Sequence, residues 1–171
     1  MPRNVEIKAV IKNFASFLLK AEELSGSAGK TFKQVDTFFQ VPNGRLKFRE
    51  EEGRTPQLVF YDRPDEEGPK LSNFECCELP VGTNLVSVLS QAINVKGVLK
   101  KSRTLCMIGQ TRVHIDRVEG LGDFMELEVQ LTEEQTVEEG DRIAKDLMEK
   151  LGVSKDDLIQ GAYMDHVLKK K

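Results

Sequence analysis

The chain has 171 residues, with 39% hydrophobic and 31% charged side chains and a formal net charge of -3, a size and composition that fit one domain spanning residues 1–171. The slightly negative charge excludes a globally basic surface, so we expect no nucleic-acid partner. No apolar run approaches the roughly 18 residues of a membrane span, and no secretory leader precedes the first strand pattern, so we expect a cytoplasmic protein without a membrane partner.

Up to residue 81 the sequence predicts strands with one helix among them. Between the first two strands, helical spacing begins behind Asn13, which can cap a helix over 14–24. Pro42-Asn43-Gly44 is a hairpin signal, and the segment 62–72, rich in Pro, Gly and charge, is predicted to be a mobile loop. Alternating apolar and polar side chains predict the strands, over 5–11, 35–41, 45–50, 57–63 and 74–81.

The second half of the chain predicts further strands between helices. Thr83 can cap a helix over 85–93, and Thr136-Val137-Glu138-Glu139 matches a capping box for a helix that ends at Gly152. Ser154 can cap a short last helix. Strands are predicted over 97–109, 111–118 and 118–131. Because most of the strands follow one another through short turns, we expect them to pair antiparallel.

Charged side chains share one face of these strands. In the strand over 118–131, Glu126 and Glu128 lie on one face, about 7 Å apart. The simpler interpretation is a solvated outer face, and the alternative is a divalent-metal site built from hard oxygen ligands. The positive members of the charged face are Lys8, Arg45, Lys47, Arg49, Arg63, Lys101, Arg103 and Arg112. The negative members are Glu6, Asp116, Glu126 and Glu128.

Two architectures fit this pattern. In an open sheet, helices cover the apolar face and water covers the charged face; in a closed barrel, the charged faces line a tunnel. Two like charges about 6 Å apart repel by roughly 0.7 kcal/mol in water but by about 3 kcal/mol at an effective dielectric near 20. A tunnel therefore needs carboxylates, metal ions or an anionic ligand to compensate its basic cluster. Periodicity alone favours the open face. If the sheet closes into a barrel, the compensation that its basic cluster needs indicates a polyanion-binding function.

Seven segments in order resemble the CYTH superfamily, the triphosphate tunnel metalloenzymes, and most of all its class IV adenylyl cyclase branch. They are VEIK, DTFF, GRLKFRE, LVFYDRPD, VLKKSR, RVHIDRVEGLGDFMELE and AYMDHVL. Each segment is weak alone, but their common order is a strong fold signal. The resemblance implies an α+β fold, a closed antiparallel eight-stranded β-barrel with helices packed on the outside, and so reverses the preference for an open face.

The resemblance also assigns the charged residues. It makes the eight positive side chains triphosphate-binding and Glu6, Asp116, Glu126 and Glu128 ligands of Mg²⁺ or Mn²⁺. One position departs from the family, whose opening motif Glu-x-Glu-x-Lys reads Asn4-Val5-Glu6-Ile7-Lys8 here. An amide oxygen can still ligate a hard cation but brings no charge, so Asn4 marks a vacated metal position and predicts weaker metal binding.

The function that the resemblance implies is metal-dependent chemistry on a nucleoside triphosphate or another polyphosphate, by a monomer or homodimer. Attack of the ribose 3′-hydroxyl on the α-phosphorus would make cyclic AMP and pyrophosphate, whereas attack of water on the terminal phosphorus would make a triphosphatase. A binding module that is catalytically weak because of Asn4 is the third alternative. We expect His114 to be a hydrogen-bonding residue of the tunnel wall, and no sequence pattern indicates adenine recognition.

Overall fold

Eight strands and three α-helices make up the part of the chain that the computed structural model describes, residues 3–62 and 70–159. The strands are β1 (Arg3–Val10), β2 (Lys30–Phe39), β3 (Arg45–Glu51), β4 (Gln57–Asp62), β5 (Lys70–Glu78), β6 (Val95–Ile108), β7 (Thr111–Val118) and β8 (Gly122–Gln130). The helices are α1 (Phe14–Ser25), α2 (Leu85–Ala92) and α3 (Val137–Leu151), followed by a 3₁₀ turn over Lys155–Asp157. No helix in these two ranges is both long enough and apolar enough to cross a bilayer.

The strands form a closed barrel in the order β1-β5-β4-β3-β2-β6-β7-β8. Every neighbouring pair is antiparallel, and β8 returns to β1 with Glu128 opposite Glu6 and Glu126 opposite Lys8. The predicted closed barrel is therefore confirmed, and the open face that periodicity alone favoured is wrong. Alternation is the same in an open and a closed sheet, so it carries no information about closure.

Two of the four predicted helix caps are confirmed, and Ser154 stands at the N-cap position of the 3₁₀ turn. The Oδ1 of Asn13 accepts a hydrogen bond of 3.0 Å from the backbone N–H of Ser16, and Thr136 forms the reciprocal capping box with Glu139. Gly152 ends α3 in the left-handed region at φ 76°, which a residue without Cβ adopts at no steric cost. At α2 the prediction is one residue off: Asn84 holds the N-cap position without a side-chain hydrogen bond. The hydroxyl of Thr83 accepts a hydrogen bond of 3.2 Å from the N–H of Leu85, the first residue of α2.

Several predicted boundaries also differ. β2 begins at Lys30, because its pairing with β6 continues to the partners Lys30 and Leu105. β5 begins at Lys70, so the end of the predicted loop over 62–72 is strand, while residues 63–69 lie outside the described part. Residues 155–159 form a 3₁₀ turn and an extended bridge from Leu158 to Ala9 in place of the predicted last helix. The rest of that helix, including Tyr163, also lies outside the described part.

The main hydrophobic core lies outside the barrel, under α1 and α3. Ile7, Val113 and Leu127 from the strands pack there with Phe17 of α1 and Leu147 of α3. Because successive side chains on a strand point to opposite faces, burial of these apolar residues under the helices turns the charged residues between them into the barrel.

Candidate functional site

The interior of the barrel holds a cavity of about 610 Å³, lined by side chains from all eight strands. Basic groups cover one side, with Lys47 and Arg49 on β3 and Lys101 and Arg103 on β6; we call these four the basic wall. The ring order places β3 diametrically opposite β8, which carries two of the carboxylates. Basic groups therefore predominate on the β3 side of the cavity and carboxylates on the β8 side, and Arg103 of the basic wall reaches Glu126 at 3.6 Å.

One fully buried carboxylate fixes the orientation of Arg49. The Nε and Nη2 of Arg49 donate to the two carboxylate oxygens of Asp36, each at 2.8 Å, and the Nζ of Lys101 lies 3.4 Å from Oδ2. Burial alone would raise the pKa of Asp36, but Arg49 and Lys101 outweigh it and hold that pKa well below its usual value. Sequence reasoning missed Asp36, although it lies in the segment DTFF and alternates in phase with the inward-facing Gln34.

Arg103 is held in the same manner by Asp116. Its Nε and Nη2 donate to the two carboxylate oxygens at 2.8 Å, and its Nη2 also lies 3.6 Å from the carboxylate of Glu126. Burial opposes ionisation of Asp116, yet Arg103 lowers its pKa to about 2. Asp116 is fully buried and is not among the described residues that line the cavity. The geometry favours a role in positioning Arg103, and the role of metal ligand stays a prediction.

The basic wall is crowded with positive charge. Burial, followed by the repulsion of Arg49, lowers the pKa of Lys47 to about 7. Burial, followed by the repulsion of Arg103, lowers the pKa of Lys101 to about 8. Because nearby negative charge favours the protonated form of a lysine, an anion in the cavity would raise both pKa values. The basic wall is thus electrostatically suited to a polyanion.

On the opposite side, His114, Glu126 and Glu128 offer ligand atoms that all lie within 4.8 Å of one another; we call these three the acidic cluster. Among the described residues, the Nδ1 of His114 is buried without a hydrogen-bond partner, and it lies 4.0 Å from the Oε2 of Glu128. Burial and Arg103 keep the pKa of His114 well below its usual value, so the imidazole is neutral. Burial, Glu6 and Glu126 raise the pKa of Glu128 to about 7.

These observations fit a divalent cation. The ring nitrogen lacks a partner and the carboxylates repel one another, and a cation bound between them would relieve both conditions. His114, expected to be a wall residue, is therefore a candidate ligand that sequence reasoning missed. Glu126 and Glu128 line the cavity, and Glu6 lines it directly opposite Glu128 on β1. The role of these three carboxylates as metal ligands stays a prediction.

Of the other predicted site residues, three line the cavity. Lys8 lines it, and Arg112 lines it with its Nη1 3.2 Å from the Oε1 of Glu128. Arg45 is half-buried at the start of β3 and is not among the described lining residues. Arg63 lies outside the described part. Asn4 is buried, lines the cavity on the same face as Glu6 and Lys8, as predicted, and faces Gln130 across the β1–β8 pair.

The two ends of the cavity differ. Near the β7–β8 turn, the inward positions of four strands form a buried apolar cluster of Phe38, Leu99, Val118 and Phe124, which we call the apolar plug. Phe38 and Leu99 are the members that line the cavity. At the other end, Arg54, Met107 and Arg112 line the cavity and are also exposed to solvent. Among the described lining residues, those at this second end are the more exposed to solvent, and we call it the open end.

Comparison with known proteins agrees with this geometry. The family model described as the CYTH domain matches residues 2–163. A Methanocaldococcus jannaschii protein named "Putative adenylate cyclase" is 26% identical over 144 residues, which cover 78% of this chain and 77% of that protein. A solved structure from Pyrococcus horikoshii has a TM-score of 0.83 at 24% identity and covers 95% of this chain and 98% of its own. A Hippeastrum structure described as a "Putative adenylyl cyclase" with a dominant triphosphatase activity has a TM-score of 0.61 at 14% identity, covering 90% and 89%.

A closed eight-stranded barrel with a charged interior is the triphosphate tunnel fold that the seven sequence segments indicated. The chain belongs to the CYTH domain family. Proteins of this family are enzymes that process triphosphates, and the expected enzyme class is confirmed at that level.

Proposed function

We propose that this protein is a divalent-cation-dependent enzyme that acts on a nucleoside triphosphate inside the barrel. The observation that carries the proposal is the basic wall facing the acidic cluster across one cavity. Arg49 and Arg103 are held by buried carboxylates, so they present their remaining N–H groups to phosphate oxygens in a fixed orientation. Phosphoryl and nucleotidyl transfer depend mainly on such positioning and charge stabilisation, and the cavity provides both without a side-chain nucleophile.

His114, Glu126, Glu128 and Glu6 are the residues that would hold the cation, and we propose Mg²⁺ or Mn²⁺ because hard oxygen ligands predominate. When bound, such a cation supplies positive charge against the triphosphate oxygens. The lysines and arginines of the basic wall neutralise the remaining charge from the other side. Phosphate binding by Lys8 and Arg112 is part of the same proposal, since both line the cavity.

The first candidate reaction converts ATP to cyclic AMP and pyrophosphate. The 3′-oxygen bonds to the α-phosphorus, the bond to the bridging oxygen breaks, pyrophosphate leaves and the hydroxyl proton is lost to solvent. Hydrolysis of the terminal phosphate is the second candidate. The relative from Methanocaldococcus jannaschii carries the name of the first activity, and the Hippeastrum protein of the same fold carries both.

Ligand-dependent stability and product analysis test this proposal together. Tripolyphosphate or ATP at about 100 times its dissociation constant should raise the free energy of unfolding by about 2.7 kcal/mol, seen as a higher melting temperature. With Mg²⁺ or Mn²⁺, ATP should yield either cyclic AMP and pyrophosphate or ADP and phosphate, separated by anion-exchange chromatography. Stabilisation by the anion without any metal-dependent product would contradict the enzyme and support a binding module.

A second prediction concerns Asn4. Asn4→Glu adds a carboxylate to the cavity face that carries Glu6, so it should tighten Mg²⁺ or Mn²⁺ binding in the presence of saturating triphosphate by roughly tenfold, about 1.4 kcal/mol. Turnover should rise with it. The measurement is calorimetric metal titration, and Asn4→Gln is the matched control because it has the length of Glu without the charge. Equal metal affinity in Asn4→Glu and Asn4→Gln would show that Asn4 is not a vacated ligand position.

A further inference from the structure

The cavity carries an apolar surface near its open end. Phe32 of β2 and Leu105 and Met107 of β6 line the cavity there, and we call these three the apolar patch. Phe32 and Leu105 are half-buried, and Met107 is 44% exposed. The three side chains thus line the cavity and are less buried than Phe38 and Leu99, the lining members of the apolar plug.

The apolar patch adjoins both charged sides of the cavity. Phe32 is the direct cross-strand partner of Arg103, and Leu105 is the direct partner of His114. Directly opposed side chains in an antiparallel pair have Cβ atoms about 4.5–5.5 Å apart. An apolar group on this patch would therefore lie next to one guanidinium of the basic wall and next to the acidic cluster.

A buried acceptor lies beside the patch. Gln34, two residues from Phe32 on the same face of β2, is 2% exposed and lines the cavity. Its Nε2 donates to the carboxylate of Glu51, which can only accept, so the orientation of the amide is set. The Oε1 of Gln34 has no hydrogen-bond partner among the described residues. A buried carbonyl oxygen that lines the cavity is placed to accept a hydrogen bond from a ligand donor.

We infer that the apolar patch and Gln34 bind the base of the nucleoside triphosphate, and that Gln34 accepts a hydrogen bond from the exocyclic amino group of that base. The inference rests on the proposed function and names its substrate class, a triphosphate of an amino-bearing purine. Aromatic and thioether side chains stack on the face of a planar heterocycle, and a single acceptor at its edge selects a base that carries a donor.

This placement also orients the phosphates. With the base on the apolar patch, the α-phosphate is the phosphate nearest to Arg103 and the acidic cluster, because these are the neighbours of Phe32 and Leu105. The β- and γ-phosphates then extend towards Lys101, which lies two residues nearer than Arg103 to the plug residue Leu99 on β6. Bond cleavage at the α-phosphorus, as in cyclisation, agrees with this arrangement better than cleavage at the terminal phosphorus.

The test compares three ligands by calorimetry in the presence of a chelator. They are ATP, purine riboside triphosphate, which lacks the exocyclic amino group, and tripolyphosphate, which lacks the base. Wild-type protein should bind ATP about tenfold more tightly than purine riboside triphosphate, and Gln34→Met should bring that ratio close to one. Phe32→Ala should weaken ATP roughly tenfold through lost stacking while changing tripolyphosphate less than twofold. Val59→Ala, which trims an apolar side chain of β4 elsewhere on the cavity wall, should leave all these ratios unchanged.

Each possible result of these titrations either supports or contradicts base binding by the apolar patch and Gln34. Equal wild-type affinity for ATP and purine riboside triphosphate would overturn the inference. This comparison needs no variant, so it decides the question even if Phe32→Ala or Gln34→Met folds poorly. Parallel losses of ATP and tripolyphosphate affinity in Phe32→Ala would overturn it as well. Binding of tripolyphosphate without any discrimination between bases would leave the proposed function standing, whereas failure of both ATP and tripolyphosphate to bind would overturn both.

Discussion

Replacing Arg103 by Ala should lower the free energy of unfolding by about 3–5 kcal/mol, because it leaves the fully buried carboxylate of Asp116 without its bidentate partner. The same change should weaken tripolyphosphate binding by about 1.5–3 kcal/mol, the contribution of one charge-assisted contact. Combining it with Arg49→Ala should abolish the stabilisation that tripolyphosphate confers on the wild-type protein. Urea denaturation gives the first quantity and calorimetry the second.

A paired variant separates stability from binding. Arg103→Met with Asp116→Leu replaces both members of the ion pair by apolar side chains, and such replacements of buried pairs are often neutral or stabilising. The double variant should therefore regain most of the stability that Arg103→Ala loses, but none of the lost tripolyphosphate affinity. If the paired variant binds tripolyphosphate like the wild type, Arg103 is a structural residue and the anion binds elsewhere.

Replacing Glu128 by Gln should stabilise the metal-free protein at pH 8. The pKa of Glu128 is raised from 4.5 to about 7 in the folded state, so its favourable contribution is complete below about pH 4.5 and is lost as the pH rises to about 7. A shift of that size corresponds to about 3 kcal/mol. The difference in unfolding free energy between Glu128→Gln and wild type should therefore grow by roughly that amount between pH 4.5 and 8, measured by urea denaturation with a chelator present.

The same variant should bind Mg²⁺ or Mn²⁺ more weakly, because one charged ligand of the acidic cluster is gone, while tripolyphosphate binding without metal stays intact or tightens. Glu75→Gln, at an exposed position of β5, is the control for a charge change away from the cavity. Parallel pH profiles for wild type and Glu128→Gln would mean that Glu128 is not crowded by Glu6 and Glu126, and unchanged metal affinity would remove it from the metal site.

Much of the site was visible in the sequence because strand alternation is local. Lys8 follows Glu6 by two residues, and Glu128 follows Glu126 by two, so each pair had to share a face of its strand whichever strands became neighbours. The caps at Asn13 and Thr136 are local too, since a capping side chain reaches only the next turn. These patterns, with the order of seven family-like segments, were sufficient for the barrel, its helices and most of the charged residues that line its cavity.

The sequence by itself thus determined which side chains share a face, and the tertiary structure decided which faces meet. Asp36 is bound to Arg49 and His114 lies beside Glu128 only because β2 pairs with β3 and β7 pairs with β8 in one register. The unpaired oxygen of Gln34 likewise depends on Glu51 from the next strand. Closure of the ring depends on pairing between β1 and β8, which are far apart in the chain. A period of two sets the face of each residue, but the free energy that selects partner strands comes from burying whole faces together, and no local pattern encodes it.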